Sequence, residues 1–173
     1  IEDLKTPFGE ICGYCEESCR GEVDHFQPIS KFPKLVYEWE NWIFSCHNCN
    51  NLKWNKWPSF GYVNPCSLKV AHRPEIYFKF DLVTGEILAR NGLKPTQIKK
   101  AKNMISDLHL NEIFHLRKRI IWIGIMGLLV NHWKKFPDNK LEIEGHMREL
   151  CSDGAELISL SRAVLYDSGI TLD

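Results

Sequence analysis

Along residues 10–57 the apolar positions fall singly among Cys, Asn, Trp and short polar runs, without the sustained 3.6-residue period of a long helix. The pattern predicts loops and short elements: strands near Glu22–Phe26 and Asn41–Ser45, and a short helix from about Cys46 to Lys56. From Ile76 to Phe80 and from Glu86 to Arg90 residues alternate around a turn containing Gly85, a hairpin signature. Pro95 suits the first turn of a helix whose apolar face is Ile98, Ala101, Ile105 and Leu108. Asn111 reads as the N-cap of a long core helix to about Lys135, with Ile113, Leu116, Ile120, Ile123, Gly127, Val130 and Trp133 at spacings of three or four. Further helical patterns cover Leu141–Cys151 and Glu156–Tyr166, punctuated by Gly154 and Gly169.

The expected class is therefore α+β, with a small N-terminal module over residues 1–66, a hairpin connection over 67–94 and a helical region over 95–173. An apolar share of 44% and a charged share of 25% exclude a disordered or fibrous chain. The longest apolar run, Ile120–Val130, is interrupted by Gly124 and Gly127 and falls short of the roughly 17–25 residues that span a bilayer, so no membrane association is expected. No secretory pattern stands at the start, which leads us to expect a cytoplasmic protein.

Seven cysteines are many for such a compartment, and an odd number does not complete a disulfide framework. Four form two Cys-x-x-Cys pairs, Cys12-Gly-Tyr-Cys15 and Cys46-His-Asn-Cys49, the ligand pattern of a closed tetrahedral zinc site. A zinc there would tie the start of the module to the start of its helix and supply folding energy that so small a core lacks. Cys19 and His47 are alternative ligands, or simply a free thiol and a surface residue. Cys66 is expected to be buried beside the zinc module.

Between and after the pairs stand Val23-Asp24-His25-Phe26-Gln27-Pro28, Glu40-Asn41-Trp42-Ile43 and Cys49-Asn50-Asn51-Leu52-Lys53. Phosphodiester hydrolysis needs a deprotonated water, a hard cation on the phosphate and a rigid frame for both. His25 is the natural base at neutral pH, and Asp24 and Asn50 offer oxygens suited to a hydrated Mg2+ or Mn2+. Neighbouring strand residues face opposite ways, so a bend at Phe26-Gln27-Pro28 is expected to bring Asp24 and His25 to one site. Lys53, three residues after Asn50 on the same helix face, could touch phosphate.

This ordered set resembles the HNH, or ββα-metal, endonucleases, in the variant whose third signature residue is Asn. The resemblance implies a catalytic His25, a brace at Asn41 that orients it, Asp24 and Asn50 on the catalytic ion, and products with a 5′-phosphate and a 3′-hydroxyl. Within that superfamily the chain is similar to the nuclease subunit of Septu-type and retron-associated anti-phage systems, the PtuB-like proteins. The residues carrying this are Cys12–Glu16, Val23–Lys31, Ser45–Asn51 and Val63-Asn64-Pro65-Cys66. It implies an ABC/SMC-like ATPase partner and, in the retron-associated systems, a reverse transcriptase with its RNA–DNA hybrid.

Charge is uneven although it sums to zero: six basic against nine acidic residues over 1–66, seven against two over 94–119, and three against eight over 138–173. A module so acidic should bind free nucleic acid weakly unless the basic stretch or a partner supplies attraction. Arg117-Lys118-Arg119 reads as a solvated helix face or a phosphate contact, and the acidic C-terminal helices are the expected docking surface. His109, His115, His132 and His146 read as structural or surface residues. Trp42 is expected to pack; Trp54 and Trp57 suit either packing or stacking on bases. The alternative function is a non-catalytic zinc-dependent adaptor that binds protein or nucleic acid.

Overall fold

The computed structural model of the chain describes residues 8–65 and 74–172. Cys66 lies outside the described residues. Strands β1 (Glu22–His25) and β2 (Trp42–Ser45) pair antiparallel, with Asp24 opposite Ile43 and His25 opposite Trp42. Helix α1 (His47–Lys53) follows at once, because the Cys46 thiol caps it by accepting the Cys49 N–H at 3.4 Å.

A short helix α2 (Pro74–Tyr77) leads into a hairpin of β3 (Phe78–Phe80) and β4 (Ile87–Ala89). The strand expected from Ile76 thus begins two residues later, since Pro74 opens a helical turn that includes Ile76 and Tyr77. The Asp81 carboxylate accepts the Val83 and Thr84 N–H groups, and Gly85 closes the turn at φ +75°. A Cβ on Gly85 would lie 3.1 Å from the Leu116 carbonyl oxygen, so both conformation and space favour glycine.

Helix α3 (Pro95–Asp107) starts at the expected proline, with the Gln97 side chain accepting the Lys94 N–H. The long helix α4 (Ile113–Lys135) has Glu112 rather than Asn111 at its N-cap position, with no capping bond from that side chain. The Asn111 amide is occupied elsewhere: it accepts the Ile87 N–H and donates to the Ile87 carbonyl, both at 2.9 Å, completing the edge of β4. Helices α5 (Lys140–Leu150) and α6 (Ile158–Asp167) pack against α4.

The buried stripe of α4 also differs from the one expected. His115, Arg119, Met126 and Val130 face inward, whereas Ile113 and Ile120 are exposed. The helix is apolar nearly all round in its middle, so periodicity could not choose a face. The choice is made by buried polar partners: Arg119 donates to the Leu110 and Gly85 carbonyls at 2.6 and 3.1 Å and to Asn111 at 3.3 Å.

Two cores result. One joins Cys12, Tyr14, Cys15, Ile43 and Cys49 to Phe78 and Ile87 of the hairpin and to Ala101, Met104 and Leu108 of α3. The other joins Met126, Ile143, Met147, Leu160 and Val164 of α4–α6. Helix α3 packs with the cysteine-bearing module and the hairpin, so the first core extends past residue 94. No helix among the described residues is long and apolar enough to cross a membrane.

Candidate nuclease site and cysteine cluster

The two cysteine pairs meet. Ligand atoms of Cys12, Cys15, Cys46 and Cys49 all lie within 4.8 Å of one another, and the residues are buried or half-buried with no disulfide among them. Backbone N–H groups two and three residues on donate to the thiols of Cys12 and Cys46, at 3.5 and 3.4 Å. Gly13 makes the first loop possible, since a Cβ there would stand 2.9 Å from Ile43 Cγ2. Neighbouring thiols push the Cys12 pKa well down, and the ionised Cys12 pushes Cys15 and Cys49 up. Four soft sulfur ligands converging within 4.8 Å suit a single dication of tetrahedral preference, such as zinc. Cys19 is half-buried against this core but outside the cluster.

His25 and Asp24, adjacent on β1, line one cavity of about 430 Å³ with Pro28, Ile29, Asn50 and Trp54 among its other walls. His25 Nε2 lies 3.0 Å from the Val36 carbonyl oxygen. A carbonyl can only accept, so Nε2 carries the hydrogen and the neutral ring keeps its lone pair on Nδ1. The Trp42 indole N–H donates to the same carbonyl at 2.9 Å, and its ring meets His25 edge-on.

Asn41 braces the intervening loop. Its Oδ1 accepts the Gln27 N–H at 2.8 Å, and its Nδ2 donates to the Gln27 and Leu35 carbonyls at 3.1 Å. The loop that carries Val36 is therefore pinned to the end of β1, one residue beyond Phe26. Asn41 is 5% exposed, so each of these bonds is shielded from water.

Asp24 is likewise buried. Tyr14 donates to its Oδ2 at 2.5 Å, and Lys53 Nζ sits 3.0 and 2.9 Å from its two oxygens. Burial raises the Asp24 pKa, an effect that Lys53 and Tyr14 oppose; burial lowers that of Lys53, opposed by Asp24. Lys53 does not face outward as expected for a phosphate contact: it is 0% exposed, and its ammonium also donates to the His25 carbonyl at 2.7 Å. One face of α1 thus holds β1 by an ion pair rather than presenting a cation to solvent.

Asn50 lines the cavity with its Nδ2 donating to Glu22 at 2.8 Å, and its Oδ1 accepts from no group among the described residues. Glu22 also accepts from His47 Nδ1 at 2.7 Å, and hydrogen bonds from Asn50 and His47 lower its pKa. His47 is a surface residue in this network, outside the cysteine cluster. Sequence reasoning missed Tyr14, Glu22 and Val36. Tyr14 could have been noticed between the first two cysteines, but Val36 acts through its backbone and leaves no residue signature.

The turn after Cys15 was missed as well. The Glu16 carbonyl accepts the Leu157 N–H, and its carboxylate accepts the N–H and hydroxyl of Ser159 at the start of α6. Glu17 pairs with the buried His115, and Lys118 bridges Glu17 and Glu156. Of the basic run on α4, Arg117 is exposed, Lys118 is paired and Arg119 is buried.

The HNH endonuclease family matches residues 12–56, the stretch from the first cysteine pair to just past α1. The chain carries an HNH module. A Septu protein PtuB of Bacillus thuringiensis is 45% identical over 47 residues, which are 24% of this chain and 18% of that protein. The match therefore spans less than a fifth of the relative's length. In the HNH module β1 carries Asp24 and His25, the turn just before β2 carries the brace Asn41, α1 carries Asn50, and the four cysteines join the helix to the loop before β1.

Proposed function

We propose that this chain is a metal-dependent HNH endonuclease and the effector subunit of a Septu-like anti-phage complex. The observation that supports catalysis best is the His25–Val36 hydrogen bond, which commits Nε2 and reserves Nδ1 for a water proton. Asn41 holds the loop that supplies Val36 and is the positioning residue. Asp24 and Asn50 Oδ1 are the oxygens that would hold Mg2+ or Mn2+, and zinc would occupy the four cysteines. The catalytic ion would neutralise charge on the phosphate and the departing 3′ oxygen. His25 removes the proton from the attacking water, leaving 5′-phosphate and 3′-hydroxyl ends.

One observation favours the alternative of a zinc-dependent adaptor: Asp24 already accepts from Tyr14 and Lys53. A carboxylate offers about four acceptor directions, so this engagement restricts Asp24 without closing it to a hydrated ion. Cleavage of plasmid DNA and total tRNA, with Mg2+ or EDTA, separates the two readings. Cutting that needs the metal and disappears in His25→Ala supports the nuclease; cutting of neither, or cutting indifferent to His25→Ala, favours the adaptor.

The likeness to PtuB supports an ABC/SMC-like ATPase as partner, and a retron reverse transcriptase with its RNA–DNA hybrid in a larger assembly. The exposed apolar side chains Ile121, Ile125 and Leu128 on α4 are consistent with a protein neighbour, and they stand on α4 rather than on the acidic helices. Purification of the chain as a monomer from its native operon would count against this assembly. Action in the cytoplasm belongs to the same proposal.

A further inference from the structure

Trp54 departs from what folding alone favours. It follows the last residue of α1, the position where glycine commonly ends a helix, and its backbone adopts φ 45°, ψ −127°. Such a conformation strains any residue with a Cβ, and strain of this kind persists where the surrounding structure fixes it. Its N–H closes the helix by donating to the Asn50 carbonyl at 2.7 Å, so the position is fixed by the same residue that lines the site.

The side chain gains no compensating burial. Trp54 is 70% exposed, makes no ring contact among the described residues, and forms a wall of the cavity that contains His25, Asp24 and Asn50. Trp57 differs: it packs edge-on against Phe26, Phe32 and Tyr62. The loop that holds His25 carries Tyr37 and Trp39, exposed by 86% and 51% and outside the cavity walls. Trp39 sets its ring against Trp42, 5.9 Å between centroids, so Trp54 is the aromatic wall of the cavity itself.

The remaining walls define what could lie on that ring. Pro28 and Ile29 are apolar, while Ser30, Asn51 and Asn55 supply neutral hydrogen-bonding groups. The cavity, about 430 Å³ and open to solvent on one side, has room for a nucleotide against the Trp54 ring. Neutral edges and an open ring suit a nucleobase, whose π-face stacks and whose edge exchanges hydrogen bonds. A base inside duplex would first have to leave its stack.

We infer that Trp54 stacks an unpaired nucleobase next to the scissile phosphate, so that the site takes single-stranded nucleic acid in preference to duplex. This rests on the nuclease reading and names the substrate class for it. Stacking of a base on Trp54 adds binding without charge, which suits a module that is acidic overall.

The test uses the full chain with His25→Ala, to prevent cutting, and compares it with the same protein carrying Trp54→Gly or Trp54→Phe. Binding to a short mixed-sequence oligonucleotide is measured as single-stranded DNA, single-stranded RNA and blunt duplex, together with the melting temperature. The expected result is preference for one or both single strands, lost about tenfold in Trp54→Gly and largely kept in Trp54→Phe. Trp54→Gly should not lower the melting temperature, because glycine relieves the backbone. Equal binding of single strand and duplex, no binding by the parent, or unchanged binding in Trp54→Gly overturns the inference. A loss of binding accompanied by a lowered melting temperature in Trp54→Gly assigns the tryptophan to the fold and also overturns it. Cleavage that depends on His25 but is indifferent to Trp54 removes this inference alone; absence of His25-dependent cleavage removes the nuclease reading beneath it.

Discussion

Lys53 Nζ lies 3.0 Å from Asp24 Oδ1, 2.9 Å from Asp24 Oδ2 and 2.7 Å from the His25 carbonyl oxygen. The helix therefore grips both residues of the Asp-His pair, one by its carboxylate and the other by its backbone. Lys53→Met would leave Asp24 buried without its counter-charge, and breaking a buried pair from one side costs about 3–5 kcal/mol. Asp24→Asn added to Lys53→Met should recover a substantial part of that loss. Urea unfolding of the two variants provides the check; a single variant as stable as the parent would show that the pair contributes nothing.

Removal of the zinc proposed for the four cysteines should unfold the HNH module. The cysteine cluster lies inside the same core as Ile43, Phe78 and Met104, so loss of the cross-link exposes that core. A strong chelator, or Cys49→Ser, should reduce bound zinc from about one per chain toward none. It should also abolish cooperative melting of the module. Retention of the full melting transition in a protein shown to lack zinc would contradict this.

Asn41→Ala removes three hydrogen bonds from a residue that touches no substrate in this reading. Its effect should reach His25 through Val36, which loses its fixed position as the loop loosens. Turnover should fall about tenfold or more while zinc content is unchanged, and the pH profile of cutting should broaden or shift as the Nε2 contact weakens. Wild-type turnover and profile in Asn41→Ala would remove its positioning role.

The sequence exposed the HNH module because its constraints are chemical: metal ligands, Asp-His and Asn recur at fixed spacings, and strands too short for periodicity are anchored by them. The hairpin was legible from Gly85 and its alternation. Lys53 was not, since a lysine three residues from Asn50 looks the same whether its ammonium turns to phosphate or to Asp24. Arg119 was hidden in a basic run, yet it is buried by the Leu110 and Gly85 carbonyls, partners that only the tertiary fold brings together. Asn111 shows the same limit: local capping chemistry and a long-range bond to Ile87 compete for one amide, and the long-range bond prevails.

The Lys118–Glu156 pair should make the attachment of α4 to the segment before α6 dependent on pH. Burial raises the Glu156 pKa, but hydrogen bonds from Lys118 and the Ser18 N–H outweigh it, leaving the carboxyl below its ordinary value of 4.5. A lowered acid contributes stability that is complete above the unfolded value and is lost as pH falls through the folded one. Burial lowers the Lys118 pKa, but Glu156 and Glu17 prevail and raise it above 10.5. Its contribution is complete below that value and fades as pH rises through the folded one. Lys118 is 39% exposed on its side chain, so screening limits the pair to about 0.5–1 kcal/mol. Glu156→Gln should flatten the acid limb of a stability profile taken from about pH 3 to 7, and a double-mutant cycle with Lys118→Met should recover the coupling. An acid limb as steep in Glu156→Gln as in the parent would place that sensitivity at other carboxylates.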